Sequence, residues 1–345
     1  MTDPTIKYHN RQVAIWLFVC CALVFAMVVL GGVTRLTGSG LSMVDWRPVT
    51  GLLPPLGEAA WGEVFSAYQG SPEFQKINHA MSLAEFKSIF WFEYCHRLLG
   101  RTIGIVFLIP FLVFVWRGAI RAQDWVKYSL MFVLGGLQGV LGWYMVKSGL
   151  IDNPHVSQYR LTAHLLAAFA IYAYMLWVAL SLLYRATDGR RHSWYPVTLL
   201  LTSIVSLTIV SGGFVAGLKA GLAYDTFPLM AGQWVPDGMY TVAPVWRNIF
   251  DNVLTVQFNH RVIALTTFFA VVGYWFFARR ATDFPRRARH ATHAIFCIGI
   301  IQVALGIATL LCHVPVVLAA AHQANALVLF TCTIHLSHAL RGRAS

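Results

Sequence analysis

Charged residues are scarce in this chain, and that scarcity excludes an ordinary soluble protein. Only 12% of the 345 residues are charged, whereas 57% are hydrophobic. Soluble domains carry about 25% charged residues. Apolar runs long enough to cross a bilayer recur along the chain, and helices satisfy their backbone groups inside lipid. The composition therefore predicts an all-α, polytopic membrane protein.

Cysteine is scarce as well. The chain has six cysteines, none of them in a Cys-x-x-Cys pair. No connection on the predicted outer side contains two, so no disulfide within such a loop is expected. Cys20, Cys21, Cys297 and Cys332 fall within apolar runs, where we expect them to be packing residues.

Acidic residues are fewer than basic ones, 14 against 26, and the formal net charge is +12. The basic residues cluster on alternate connections between apolar runs, and most acids lie on the other connections. The positive-inside rule then puts both termini in the cytoplasm. The charge is thus explained by topology and membrane lipid, with no nucleic acid as partner. A short polar start before residue 13 predicts a retained first span, in a bacterial plasma (inner) membrane.

The apolar runs number eight, and the second half of the chain repeats the first. The spans are predicted at residues 13–32, 90–115, 127–146, 161–184, 197–217, 253–278, 291–311 and 316–336. Gly31-Gly32 recurs as Gly212-Gly213 at an offset of 181 residues, and His96-Arg97 recurs as His260-Arg261 at an offset of 164. An even number of spans per repeat keeps both units in one orientation. We therefore predict two tandem, pseudo-symmetric four-helix bundles, at residues 1–190 and 191–345.

Four of the 13 histidines are matched by the repeat: His96, His164, His260 and His322. Each lies near the outer end of an even-numbered span. Facing helices of a bundle can direct two imidazoles at one central group. Two neutral imidazoles on opposite faces of a porphyrin are the ligand set of a b-type haem iron. Zinc fits less well, because the second half has no cysteine or carboxylate to complete a tetrahedral set.

One acid distinguishes the halves. Glu93 lies one helical turn before His96, whereas its counterpart Gln257 cannot accept a proton at neutral pH. An ionisable side chain at such depth marks a functional site, and proton transfer needs a titratable group. Glu93 could deliver a proton to bound oxygen or stabilise a cationic intermediate. The alternative is a structural hydrogen bond at the mouth of the span.

Basic residues near the outer ends of the spans are candidates for binding haem propionates. They are Arg35, Arg97, Lys219, Arg247 and Arg261. For Arg97 and Arg261 the alternative is that the side chain reaches out to the membrane interface. The glycine-rich segment 31–40, read as an outer loop, is either a lid over the first site or a plain connector.

With these residues in view, the whole chain resembles the haem A synthase family. The most specific matches are the segments 93–97, EYCHR, and 31–40, GGVTRLTGSG. Shorter matches surround His164, His260 and His322. The chain lacks the cysteine pair that some bacterial members have in the first outer loop, so it is most similar to the proteobacterial and mitochondrial branch.

The resemblance implies an oxidoreductase that oxidises the C8 methyl of haem O to a formyl group, by successive hydroxylations. It implies that residues 1–190 bind the substrate between His96 and His164, with Glu93 catalytic. It implies that residues 191–345 bind haem b between His260 and His322. It also implies O2, a haem O synthase, an electron donor and a homo-oligomer as partners. Because two histidines on the substrate iron leave no position for O2, we expect one of them to release during turnover.

Two other functions use the same residues. A two-haem membrane cytochrome b would pass electrons and use Glu93 as a proton-exit group. A haem transporter or chaperone would bind haem and leave its side chains unchanged. The chemistry of the bound pigment separates the synthase from both alternatives.

Overall fold

The structure, a computed structural model, describes residues 4–45, 52–151, 154–184 and 191–342. The predicted boundary between the halves, at residue 190, falls in a stretch outside these ranges. Eleven α-helices lie within the described ranges. They are α1 (Pro4–Leu36), α2 (Gly57–Gln69), α3 (Pro72–Lys76), α4 (Leu83–Trp116), α5 (Trp125–Lys147), α6 (Gln158–Leu183), α7 (Tyr195–Gly217), α8 (Asn248–Asp251), α9 (Val253–Ala278), α10 (Arg286–Leu311) and α11 (Val316–Leu340).

Eight of these helices are long and apolar enough to cross a membrane, which confirms the eight predicted spans. They are α1, α4, α5, α6, α7, α9, α10 and α11. The second span begins seven residues earlier than predicted, at Leu83. Ser82 starts it with a capping box, in which its hydroxyl accepts from the Glu85 N–H and its own N–H donates to the Glu85 carboxylate. Such a cap starts a helix irrespective of hydropathy, and hydropathy alone located the predicted boundary.

The spanning helices pack as two rings of four. In the first ring α1 contacts α4 and α6, and α5 contacts the same two helices. In the second ring α7 contacts α9 and α11, and α10 contacts the same two. The rings meet through α1 with α11, α6 with α7, and α6 with α11. The first helix of each ring thus packs against the last helix of the other, as expected for two pseudo-symmetric bundles.

The two glycine pairs lie inside α1 and α7, so the prediction that segment 31–40 is a loop from its first residue was wrong. The helix continues to Leu36, and only the residues after it are a connection. The second glycine of each pair faces the other bundle. A Cβ on Gly32 would lie 2.5 Å from Oε1 of Gln323 on α11, and one on Gly213 would lie 2.9 Å from Oγ1 of Thr162 on α6. The bundles therefore approach each other where no side chain intervenes.

The connection between α1 and α4 is folded. Its helix α2 packs on the outer extension of α4 around five buried aromatic residues, Trp61, Tyr68, Phe86, Phe90 and Tyr94. The buried Glu73 of α3 accepts a hydrogen bond from the Tyr68 hydroxyl (3.0 Å), and burial raises the pKa of this carboxyl to about 7. This connection has a small core of its own, which a plain connector would lack.

Three of the four cysteines that were expected to pack inside the protein do so. Cys20 and Cys21 belong to the main core, and Cys332 is partly buried against it. The expectation for Cys297 was wrong, because this residue is exposed on α10. Lipid is as apolar as a protein core, so an apolar span contains residues that face lipid as well as residues that pack inside.

A hydrogen-bonded carboxylate joins the bundles at the end of the molecule where α6 begins. Oδ1 of Asp251 on α8 accepts from Gln158 Nε2 and from the Tyr159 hydroxyl at the start of α6, both at 2.8 Å. Oδ2 accepts from Nε of Arg247 at 2.8 Å. Partial burial raises the pKa of Asp251, but the hydrogen bonds from Tyr159 and Arg247 outweigh it and hold the pKa below its usual range.

Asp251→Asn should destabilise the contact between bundles in a pH-dependent way. Because the pKa is lower in the folded protein, the stabilisation is complete above the unfolded pKa, about 4. It is lost as pH falls through the folded pKa. We expect the variant to lose about 1 kcal/mol at pH 7, the net scale of one ordinary hydrogen bond, and less near pH 3. Thermal unfolding in detergent measures the difference.

Asp237→Asn is the matched control, since Asp237 accepts from Gln233 within its own loop. The network does not join the bundles if both variants unfold alike, or if the Asp251→Asn deficit is the same at both pH values.

Candidate functional site

The four repeated histidines pack against four glycines on neighbouring helices. A Cβ built on each glycine would crowd the Cε1 atom of the imidazole. The pairs are Gly31 with His96 (2.9 Å), Gly142 with His164 (2.9 Å), Gly212 with His260 (3.3 Å) and Gly306 with His322 (2.9 Å). Any larger residue would displace the ring, so glycine gives each imidazole its place inside a bundle.

The pairs follow the repeat. His96 of α4 packs on α1 and His164 of α6 on α5, while His260 of α9 packs on α7 and His322 of α11 on α10. Within each ring the two histidines are close enough for their charges to interact. Each bundle therefore brings together the two histidines that the sequence assigned to it.

Polar contacts of the imidazoles differ between the halves. In the first ring, Nδ1 of His96 and Nδ1 of His164 are buried and have no hydrogen-bond partner among the described residues. In the second ring, Nδ1 of His260 lies 2.8 Å from the Ser211 hydroxyl. The Gln302 amide nitrogen lies 3.2 Å from Nδ1 and 3.4 Å from Nε2 of His322.

These residues fit a haem iron better than a bare metal ion. Buried imidazoles in apolar surroundings stay neutral, which is the ligand form. The glycine contacts fix the positions of all four rings, and Nδ1 of His96 and Nδ1 of His164 have no hydrogen-bond partner in the described chain. Such rings are available to a bound group rather than to another side chain. Within the described part of the chain, no group of three or more His, Cys, Asp or Glu side chains could hold a metal ion by itself.

Glu93 is 3% exposed and accepts four hydrogen bonds. Oε2 accepts from the Ser42 hydroxyl (2.7 Å) and from the Met43 N–H (2.8 Å). Oε1 accepts from Nε (3.1 Å) and Nη2 (2.5 Å) of Arg97, its neighbour one turn along α4. The carboxylate therefore holds the segment after α1 against α4, beside His96.

The arginines of the two His-Arg pairs make matching contacts with the segments that follow α1 and α7. Arg97 donates to the carbonyls of Met43 (2.9 Å) and Asp45 (3.0 Å). Arg261 donates to the carbonyls of Tyr224 (3.0 Å) and Thr226 (2.7 Å). The acceptors differ by 181 residues, the same offset as the glycine pairs. Each arginine thus clamps the outer segment of its own bundle.

The carboxylate is the difference between these two clamps. In the second bundle the counterpart of Glu93 is Gln257, whose amide nitrogen donates to the carbonyl of Tyr224 at 2.8 Å. Gln257 thus donates to a backbone carbonyl of the segment after α7, whereas Glu93 accepts from a backbone N–H of the segment after α1. The second clamp therefore has no negative charge.

The other cations proposed for propionates separate into two groups. Arg247 pairs with Asp251, and Arg97 and Arg261 donate to backbone carbonyls of their own bundles. Half-buried Arg35, by contrast, has no hydrogen bond or ion pair within the described ranges. Lys219 is exposed and near enough to Glu73 for their charges to attract.

Sequence reasoning did not find Ser42 or Ser211. Ser42 is 51 residues from Glu93, and a lone serine in a loop gives no signal of such a contact. Ser211 could have been found, because the repeat places Leu30 at its position in the first half, and a polar-for-apolar difference beside a matched glycine is visible in the sequence.

Comparison with known proteins matches nearly the whole chain to one family. The COX15-CtaA family model, described as cytochrome oxidase assembly protein, matches residues 14–334. The chain is 54% identical to a heme A synthase of Nitrosospira multiformis, over 96% of this chain and 94% of that protein. It is 45% identical to heme A synthase COX15 of Arabidopsis thaliana, over 96% of this chain and 75% of that protein. The chain belongs to the COX15-CtaA family.

Proposed function

We propose that this protein is a haem A synthase, an oxidoreductase that converts the C8 methyl of haem O to the formyl group of haem A. Relatives that cover the chain carry this name. The observation that supports it within the molecule is the pair of matched imidazole sites, of which one alone has a buried carboxylate beside it. Two similar haem sites with one chemical difference suit an enzyme that alters one haem and uses the other.

The halves receive different roles in this proposal. Residues 1–190 bind the substrate, haem O, between His96 and His164. Residues 191–345 bind a resident haem b between His260 and His322. Polar contacts to both second-half imidazoles favour a permanent ligand pair there, and the orphaned Nδ1 atoms of the first half favour a pair that exchanges its haem.

Oxidation of a methyl to a formyl group needs reactants that the chain does not supply. Each hydroxylation consumes one O2, two electrons and two protons and releases one water. After two hydroxylations, loss of water from the geminal diol leaves the formyl group. We propose that a separate donor supplies the electrons and that a haem O synthase supplies the substrate. Haem b, when bound, provides one-electron transfer.

Glu93 is the residue to which we assign catalysis. Its carboxylate lies one turn from His96, and its hydrogen bonds to Ser42, Met43 and Arg97 hold its position and close the outer segment over the bundle. A fixed negative charge there stabilises positive charge that develops during oxidation of the substrate, and the group can also hold a proton for oxygen.

Two cations are proposed to bind the propionates. Arg35 is half-buried at the outer end of α1 and has no partner within the described ranges, and Lys219 stands exposed at the same side. Free guanidinium and ammonium groups near the bundle mouth are the partners that carboxylates favour. Arg97, Arg247 and Arg261 are the less suitable candidates, because each already has an acceptor.

The protein is a multi-pass membrane protein. We further propose a bacterial plasma (inner) membrane with both termini in the cytoplasm, on the basis of the basic residues in alternate connections and the bacterial relatives. This topology puts both haem sites near the outer leaflet. A homo-oligomer stays a prediction of the family resemblance.

Conversion of pigment tests the proposed reaction. Purified protein supplied with haem O, O2 and a reductant should yield haem with a hydroxymethyl or formyl group, seen by mass spectrometry of the extracted pigment. Glu93→Gln should lower the conversion rate by at least about 100-fold, the usual scale for a lost acid–base group. Glu85→Gln, on the same helix, should convert normally, because Gln also serves in a capping box.

A structural role of Glu93 gives a different pattern. Ser42→Ala removes one of its hydrogen bonds and keeps the charge, so a catalytic role predicts near-normal conversion by this variant. If Ser42→Ala and Glu93→Gln lose haem O binding and conversion to the same extent, Glu93 holds the loop only. Haem O recovered unchanged from the wild type would reject the synthase.

Histidine variants test the roles of the halves. In cells that make haem b but no haem O, His260→Ala and His322→Ala should lose the tightly bound haem b, while His96→Ala and His164→Ala retain it. Absorbance at the Soret band per protein measures the bound haem. With haem O supplied, one of the two first-half variants should keep partial conversion, because one of these ligands has to release for O2. If His96→Ala and His164→Ala both lose conversion completely, the proposed release of one ligand is contradicted.

Arg35→Gln should weaken haem O binding by about 10-fold, the cost of one hydrogen bond between charged groups. Titration of the apo-protein with haem O measures the affinity. Arg247→Gln is the control, because Arg247 is engaged with Asp251 and should change the affinity little. If the two variants bind haem O equally well, Arg35 does not contact a propionate.

A further inference from the structure

The imidazoles of His96 and His260 pack on matched glycines, but only that of His260 contacts a serine hydroxyl. His96 and His260 lie at equivalent positions of α4 and α9, and each packs on the first glycine of a matched pair. The residue before that glycine is Leu30 in α1 and Ser211 in α7. Ser211 contacts His260, whereas Nδ1 of His96 is buried without a partner in the part of the chain that the structure describes.

The contacts of Ser211 favour one direction for its hydrogen bond to His260. Its hydroxyl donates to the carbonyl of Thr208 at 2.8 Å, one turn earlier in α7. A carbonyl can only accept, and a hydroxyl has one proton. When its proton is donated to Thr208, the Ser211 oxygen is left as an acceptor for the ring, 2.8 Å away. In that arrangement Nδ1 of His260 carries the proton, and Nε2 carries the lone pair.

We propose that Ser211 is a positioning residue that makes His260 a permanent iron ligand, and that its absence in the first half leaves His96 exchangeable. The inference rests on the proposed haem sites. A hydrogen bond at the outer ring nitrogen fixes the tautomer and the ring orientation of a ligating histidine and makes it a stronger electron donor. One hydroxyl on α7 thus separates a cofactor site from a substrate site in two copies of the same bundle.

Substitutions at position 211 test the cofactor side. The variants are made in a His96→Ala background, so that the bound haem b reports on the second bundle. Ser211→Ala should release haem b to apomyoglobin about 10 to 100 times faster than the parent, the usual cost of losing the partner of a ligating histidine. Its reduction potential should rise, because a weaker donor favours the ferrous iron. Ser211→Thr keeps a hydroxyl and should restore both properties.

Ser203→Ala is the matched control. Ser203 lies on the same helix, is exposed, and donates only to the carbonyl of Leu199, so removal of its hydroxyl should leave the release rate and the potential unchanged. If Ser211→Ala matches the parent in both measurements, the inference is overturned. Equal losses in Ser211→Ala and Ser203→Ala would overturn it as well, because they would indicate a general effect on α7.

Leu30→Ser tests the substrate side and does not depend on how well the 211 variants fold. A hydroxyl placed beside Gly31 should bind Nδ1 of His96 and slow the release of haem O to apomyoglobin. No change in that rate overturns this part of the inference. Failure of the proposed function has a separate signature, since it would leave haem b bound to His260→Ala, or leave wild-type protein without any Soret absorption.

Discussion

The close packing of an imidazole on a glycine is the constraint from which the rest of this molecule follows. Glycine in a membrane helix costs stability, yet here it allows a ring to lie where a Cβ would be 2.9 to 3.3 Å from Cε1. Four such contacts put two half-buried histidines into each bundle. Apolar surroundings favour the neutral ring, which is the form that the proposed binding of a porphyrin iron requires.

The outer segments depend on the same helices. Arg97 and Arg261 each follow a histidine by one residue, so each guanidinium leaves its helix at the level of the imidazole site. Both donate to two carbonyls of the segment that covers their bundle. The two closures are alike in geometry and differ in charge, since Glu93 is a carboxylate and Gln257 an amide. The assignment of chemistry to the first bundle follows from that charge.

The repeat made most of the fold and the histidine pairs predictable, because matched residues at constant offsets show two copies of one unit. It could not show that α1 continues to Leu36 or that α2 packs on α4, since α2 has no matching helix in the second-half connection. It also could not identify the acceptors of Arg97. Those are backbone carbonyls some 50 residues away, and any residue type presents a carbonyl. The sequence shows that such an arginine lies in an apolar segment, but only the structure shows which carbonyls accept its hydrogen bonds.

With the roles proposed for the halves, internal symmetry explains how one fold can both keep a haem and exchange one. Two copies of a bundle begin with equal affinity, and a difference of 1.4 kcal/mol is already a factor of ten in retention. A hydroxyl at position 211 and an amide at position 302 contact the second-half rings, and no equivalent contact reaches the rings of the first half within the described chain. Polar groups of this size supply differences of that magnitude without any change in the helices. In this proposal the two sites differ through the residue at position 211, serine where the first half has Leu30, and through the placement of an amide, since Gln302 contacts the ring of His322 whereas Gln138 donates to the backbone carbonyl of His164.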